Sequence, residues 1–163
     1  MKDIILLGGG GHCKSVIDTI RELKEYNILG ILDVREKVGT EINNIKIIGA
    51  DEDLSYYYKR GLESAFITVG SIENNLLRRK LYEQAKNIGY KFETIIDKTA
   101  IISKSTKIGQ GTFVGKGTII NTNVNVGMNC IINTGVIIEH DCNIGLFCHI
   151  AQIGRASCRE RVY

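Results

Sequence analysis

From residue 101 the chain reads in sixes: IISKST, KIGQGT, FVGKGT, IINTNV, NVGMNC, IINTGV, IIEHDC, NIGLFC, HIA. The second place is Ile102, Ile108, Val114, Ile120, Val126, Ile132, Ile138, Ile144 and Ile150, aliphatic and β-branched without a miss. The sixth place is small or β-branched throughout: Thr106, Thr112, Thr118, Val124, Cys130, Val136, Cys142, Cys148. The third place is Gly or a turn-tolerant residue in most hexads: Gly109, Gly115, Asn121, Gly127, Asn133, Gly145. A helix needs a period of 3.6 and an alternating strand a period of 2, so neither accounts for the pattern. A six-residue repeat lays down one short strand and one corner at a time, which predicts a parallel β-helix.

The 163 residues suffice for one large domain or two small ones. At 44% apolar and 24% charged, with no long apolar run, the chain is neither disordered nor membrane-spanning. The apolar opening at residues 4–7 is too short for a signal peptide, so a cytoplasmic location is expected. Three of the five cysteines (Cys130, Cys142, Cys148) fall in the sixth place and are expected to fill space rather than form disulfides. Residues 153–163 break the pattern: charge crowds in at Arg155, Arg159, Glu160 and Arg161, as in a non-native tail. Without GRASCRERVY the balance of 21 basic and 18 acidic residues becomes 18 and 17, so +3 becomes +1. That charge points to neither nucleic acid nor an anionic membrane.

Ahead of the repeats, apolar runs and helical stripes alternate. Residues 2–8 and 27–33 read as strands around a helix over 13–23 whose Val16, Ile17, Ile20 and Leu23 share a face. Residues 36–44 read as loop and 45–48 as a short apolar piece. Asp51 is placed to cap a helix through Lys59, with Gly61 as its stop. Residues 65–69 read as a strand. A helix over 74–88 carries Leu77, Leu81, Ala85 and Ile88 on one stripe, and 92–96 reads as a last strand. Such alternation predicts a small, Rossmann-like open parallel sheet over residues 1–97, joined to a β-helix over 98–152.

The first strand runs into Gly8, Gly9, Gly10 and Gly11 before a helix starts, which puts bare backbone amides where an anion is welcome. Where the dinucleotide fingerprint needs a third Gly or Ala, the chain has Cys13, and a sheet over residues 1–97 is only half of a doubly wound one, so one nucleotide fits better than two. Asp33 ends the second strand, where such folds hold a ribose hydroxyl, and Gly70 ends the next one. His12 follows the glycines and is able to donate to a phosphate or sugar oxygen. Each has a plainer reading: a tight turn, a helix start, a strand terminator. In the repeats, Glu139, His140 and Asp141 take corner places, where an imidazole beside a carboxylate suits general base work. His149 comes nine residues later, half of an 18-residue coil. A solvated corner is the plainer reading of that triplet.

The GGGGH loop, ILD at the second strand, ITVGS at the third and IIEHDCNIGLFCHIA together resemble one family. It comprises the bacterial sialic-acid O-acetyltransferases and nucleotide-sugar N-acetyltransferases of surface polysaccharide biosynthesis. The resemblance covers residues 1 to about 151. It implies an α/β nucleotide-sugar-binding domain, a left-handed β-helix, and a homotrimer with acetyl-CoA between subunits and no metal. His140 resembles the catalytic base, Asp141 its acidic neighbour, and His149 an acetyl-CoA contact. Gly10, Gly11 and His12 resemble the nucleotide-sugar loop, completed by Asp33, Val34 and Gly70. In the family, further coils follow the equivalent of Ala151 and supply the oxyanion amide and most of the coenzyme groove. Here Gln152 and the charged segment stand instead, so the chain reads as truncated and no residue is assigned to those tasks.

The expected reaction moves an acetyl group from acetyl-CoA to an amine or hydroxyl of a nucleotide-linked amino sugar or sialic acid. Three rivals stay open: a zinc β-helix enzyme of the γ-carbonic-anhydrase kind, a nicotinamide oxidoreductase, and a non-catalytic sugar-nucleotide sensor. The first wants three histidines and the repeats hold two. The second is weakened by the broken fingerprint.

Overall fold

A computed structural model describes residues 1–71, 74–156 and the backbone of 161–162. The chain divides into two compact units, Met1–Glu93 and Thr94–Tyr163.

The first unit contains β1 (Lys2–Leu7), α1 (Gly11–Leu23), β2 (Tyr26–Asp33), β3 (Glu41–Ile42), β4 (Ile45–Ala50), α2 (Leu54–Tyr58), β5 (Ser64–Ile67), α3 (Leu76–Ile88) and β6 (Lys91–Phe92). Its sheet runs β3-β4-β2-β1-β5-β6. All pairings are parallel except β3 with β4, a short antiparallel edge inside the stretch expected to be loop. Ile4, Ile5, Leu6 and Leu7 are fully buried, as a central strand covered on both faces requires. The chain builds outward from β1 through β2 to β4, then returns to the other side of β1 as β5. Strand order therefore reverses between β1 and β5, and ligands of such sheets gather outside the carboxyl ends at that reversal.

Three local expectations need correction. The helix after β4 opens with a 3₁₀ turn, Asp51–Asp53, and Asp53 rather than Asp51 closes it: Asp53 Oδ2 accepts the Ala50 N–H at 2.8 Å. On α3 the buried stripe is Arg78, Leu81, Tyr82 and Ala85, while Leu77 is 48% exposed. The stretch 92–96 is two strands: β6 ends the open sheet, and Ile95–Ile96 forms β7 of the second unit. There Ile95 N–H donates to Thr112 O at 3.0 Å, because the count of six reaches back to Ile96.

The second unit continues with β8 (Ile101–Ile102), β9 (Lys107–Ile108), β10 (Phe113–Val114), β11 (Ile119–Ile120), β12 (Asn125–Val126), β13 (Ile131–Ile132), β14 (Ile137–Ile138), β15 (Asn143–Ile144), β16 (His149–Ile150), β17 (Arg155–Ala156) and β18 (Arg161–Val162). They form three parallel ladders: β7-β10-β13-β16, β8-β11-β14-β17 and β9-β12-β15-β18. Ile102 pairs with Ile120 and Ile120 with Ile138, so equivalent residues stack coil upon coil. The second and sixth places fill the bore with Val114, Ile120, Val124, Val126, Cys130, Ile132, Val136, Ile138, Cys142, Ile144, Cys148 and Ile150. Each fully buried Val or Ile contributes about 1.5–3 kcal/mol. The count persists into the charged segment, where Ala156 pairs with Glu139's neighbour Ile138 and is buried. Residues 157–160 and 163 of that segment lie outside the described residues.

Two places do work that the repeat did not disclose. The left-handed backbone falls in the fifth place, not the third: Gly111, Gly117, Asn123, Asn129, Gly135, Asp141, Phe147 and Ile153 all have φ between 55° and 73°. The third place is glycine for a different reason, since a Cβ on Gly127 would lie 2.6 Å from Gly145 O on the next coil. The sixth place is more than filler. Hydroxyls of Thr106, Thr112 and Thr118 donate to the carbonyls of Asn121, Gly127 and Asn133, tying each corner to the coil above. The Cys130 thiol does the same with Gly145 O at 2.9 Å.

Candidate active site

The carboxyl ends of β1, β2 and β5 bring one group of expected residues together. Gly9 N–H donates to Asp33 Oδ2 at 2.7 Å, and Val34 N–H to Asp33 Oδ1 at 2.7 Å. Lys37 Nζ lies 3.0 Å from the same Oδ2. Burial would raise the Asp33 carboxyl, but the Val34 and Gly9 amides and then Lys37 outweigh it and hold the group below its usual value. Asp33 is thus an ionised anchor for the glycine loop, with lone pairs left for a ligand donor.

The four glycines divide by cause. Gly8 has φ +105°, and a Cβ there would collide with Val69 Cγ2; a Cβ on Gly9 would lie 2.9 Å from Asp33 Oδ2. At Gly10 and Gly11 a Cβ would meet nothing within 4 Å. The fold therefore demands the first two and leaves open space over the last two. Gly10 is the N-cap of α1, without a side-chain cap bond and without an acidic residue in the first turn. His12, in that first turn, is partly buried, its Cβ 3.9 Å from the Cβ position of Gly70 across the reversal point. Thr68 bolts the two loops together, its hydroxyl donating to Gly8 O and its N–H to Leu7 O at 2.8 Å.

The second group lies on the β-helix. His140 and Asp141 occupy the corner after β14, with His140 Nδ1 2.8 Å from Asp141 Oδ2 and both side chains about half exposed (49% and 52%). Asp141 holds this contact from a left-handed backbone, φ 59°. If Nδ1 carries the proton donated to Asp141, Nε2 presents its lone pair outward. His149 opens β16 on a different ladder, so within one chain the two histidines are not partners. Among the described residues, no group of three or more His, Cys, Asp or Glu is placed to hold a metal ion. Likewise, no helix is long and apolar enough to cross a membrane.

A family model described as the PglD N-terminal domain matches residues 3–85. A comparison with curated proteins finds no match. Among solved structures, a single-site mutant of perosamine N-acetyltransferase from Caulobacter crescentus, in complex with CoA and GDP-perosamine, is 32% identical. The match spans 91% of this chain and 68% of that one, with a TM-score of 0.84. The chain belongs to the nucleotide-sugar acetyltransferase family. The acetyltransferase domain of PglB from Neisseria gonorrhoeae is 28% identical over 99% of this chain and 76% of that one, with a TM-score of 0.89. The same domain in complex with acetyl coenzyme A gives 28% over 98% and 75%, TM-score 0.87. The shared fold is the α/β sheet followed by a left-handed β-helix, as the sequence led us to expect.

For a nucleotide-sugar acetyltransferase, the sequence reading missed Lys37, Thr68 and Arg78. Lys37 stands four residues after Asp33, a local spacing that could have marked the pair; Thr68 carries no such signal, because its contacts with Leu7 and Gly8 are set by the pairing of β5 with β1. Arg78 did have one. Positions 78, 81, 82 and 85 form as good a helical stripe as the one beginning at Leu77, but arginine is not the residue type expected inside it.

Proposed function

We propose that this chain transfers the acetyl group of acetyl-CoA to the amine of a nucleotide-linked amino sugar, with His140 as general base. The observation that carries the reading is the His140–Asp141 contact on an exposed β-helix corner, in a chain 32% identical to a perosamine N-acetyltransferase solved in complex with CoA and GDP-perosamine. In this reading residues 1–97 hold the nucleotide-sugar and the β-helix performs the transfer. The amides at the start of α1, over the open space at Gly10 and Gly11, take the diphosphate, and His12 and Gly70 line its far side. Asp33 and Val34 hold the nucleoside. His149 contacts acetyl-CoA.

The amine nitrogen attacks the thioester carbonyl, its proton passes to His140 Nε2, and the C–S bond breaks. The proton then moves from His140 to the departing thiolate. Asp141 steadies the imidazolium between those steps, and general base assistance of this kind contributes roughly 10²–10⁴-fold. Self-association as a homotrimer is part of the proposal. Ile101 (67% exposed) and Ile119 (39%) form an aliphatic stripe with Ile137 on one ladder, which supports burial against another copy. The test is a panel of GDP- and UDP-linked amino sugars, with sialic acid as the hydroxyl acceptor, incubated with acetyl-CoA. Thiol release with an amino sugar supports the reading; release with sialic acid alone, or with none of them, contradicts it.

A further inference from the structure

Arg78 is 1% exposed, the largest fully buried side chain among the described residues, and it lies on the inner face of α3 where an aliphatic residue would cost far less. Its Nη1 donates to Ile67 O at 3.1 Å and to Val69 O at 2.5 Å. Those two carbonyls sit at and just beyond the end of β5, on the side where a neighbouring strand would pair with them. That neighbour, β6, is two residues long and pairs only with Ser64 and Ala65. The arginine therefore completes an edge that the sheet leaves short, and buried carbonyls require such completion.

The edge it completes is not an arbitrary one. Val69 presses on Gly8, Thr68 is bonded to Gly8 O, and Gly70 faces His12. The guanidinium thus holds both sides of the reversal point through one backbone segment. We propose that Arg78 is a positioning residue for substrate binding: its Nη1 group, bonded to both carbonyls, sets the path of residues 67–70, and through it the spacing between Gly70 and the glycine loop. The inference rests on the reading of that edge as the nucleotide-sugar site. Both bonds leave the planar Nη1 amino group in fixed directions, a geometry that the shorter side chain and rotating ammonium of lysine do not reproduce.

The experiment titrates GDP and UDP calorimetrically into the wild type, Arg78→Lys and Leu81→Ala, with a thermal melt of each. Leu81 is buried on the same helix face and serves as the packing control. The expected result is nucleotide affinity lowered about tenfold or more in Arg78→Lys and unchanged in Leu81→Ala, at a temperature well below every melt. Arg78→Gln takes the place of Arg78→Lys if the latter does not fold. Wild type that binds neither nucleotide overturns the reading of the site and this inference with it. Wild type that binds, with the arginine variant within twofold of it or no weaker than Leu81→Ala, overturns this inference alone.

Discussion

Asp141 meets His140 from a left-handed backbone: φ is 59° at Asp141, and its Oδ2 lies 2.8 Å from His140 Nδ1. The same place on other corners holds Asn123 and Asn129, with φ 57° and 55°. The fold therefore accepts asparagine there. Asp141→Asn should melt like the wild type yet lose the charge opposite the imidazolium. A charge-assisted bond is worth about 1.5–3 kcal/mol, and half-exposure puts this one at the lower end. Turnover is expected to fall roughly tenfold with nucleotide affinity unchanged, as steady-state kinetics will show.

Asp33 supplies a pH prediction. Its carboxyl is held below the usual 3.8, so its contribution to stability is fully present above that value and is lost as pH falls through the lower, folded one. Asp33→Asn removes that dependence, so its melting temperature should change less than the wild type's between about pH 5 and pH 2. At neutral pH it should be the less stable protein, since Gly9, Val34 and Lys37 lose an ionised acceptor.

The third and fifth places make opposite demands. Gly117, in the fifth, has φ +65° and open space beyond its Cβ position, whereas Gly127, in the third, faces backbone of the next coil at 2.6 Å. Gly117→Asn should leave the melting temperature within about 2–4 °C of the wild type, the equivalent of roughly 1 kcal/mol. Gly127→Asn should unfold the β-helix or lower its melt far more.

Thr112 is fully buried, donates to Gly127 O at 3.0 Å and accepts from Cys130 N–H at 3.1 Å. Thr112→Val keeps the volume but orphans both partners, for about 1–3 kcal/mol each. Thr112→Ser keeps the hydroxyl and loses one methyl, for about 0.8 kcal/mol. Thermal melts should rank valine below serine, the reverse of a purely hydrophobic bore.

The sequence made the β-helix legible because period six survives in Ile102 through Ile150, and the open sheet legible because Ile4–Leu7 and Gly8–Gly11 mark a buried strand and a turn. It marked where His140, Asp141, Asp33 and the glycine loop would lie. What it concealed depends on three-dimensional neighbours. Thr112 and Gly127 look like filler and turn until the next coil is stacked above them. Arg78 looks like a solvated helix residue until β6 proves too short to pair β5. Strand 92–96 looked continuous because the repeat's first second-place residue, Ile96, precedes the stretch where the count becomes obvious.

The most direct test replaces His140 with alanine and measures acetyl transfer from acetyl-CoA alongside nucleotide-sugar affinity. The account predicts turnover lower by about 10²–10⁴-fold with affinity unchanged. Turnover equal to that of the wild type would contradict it.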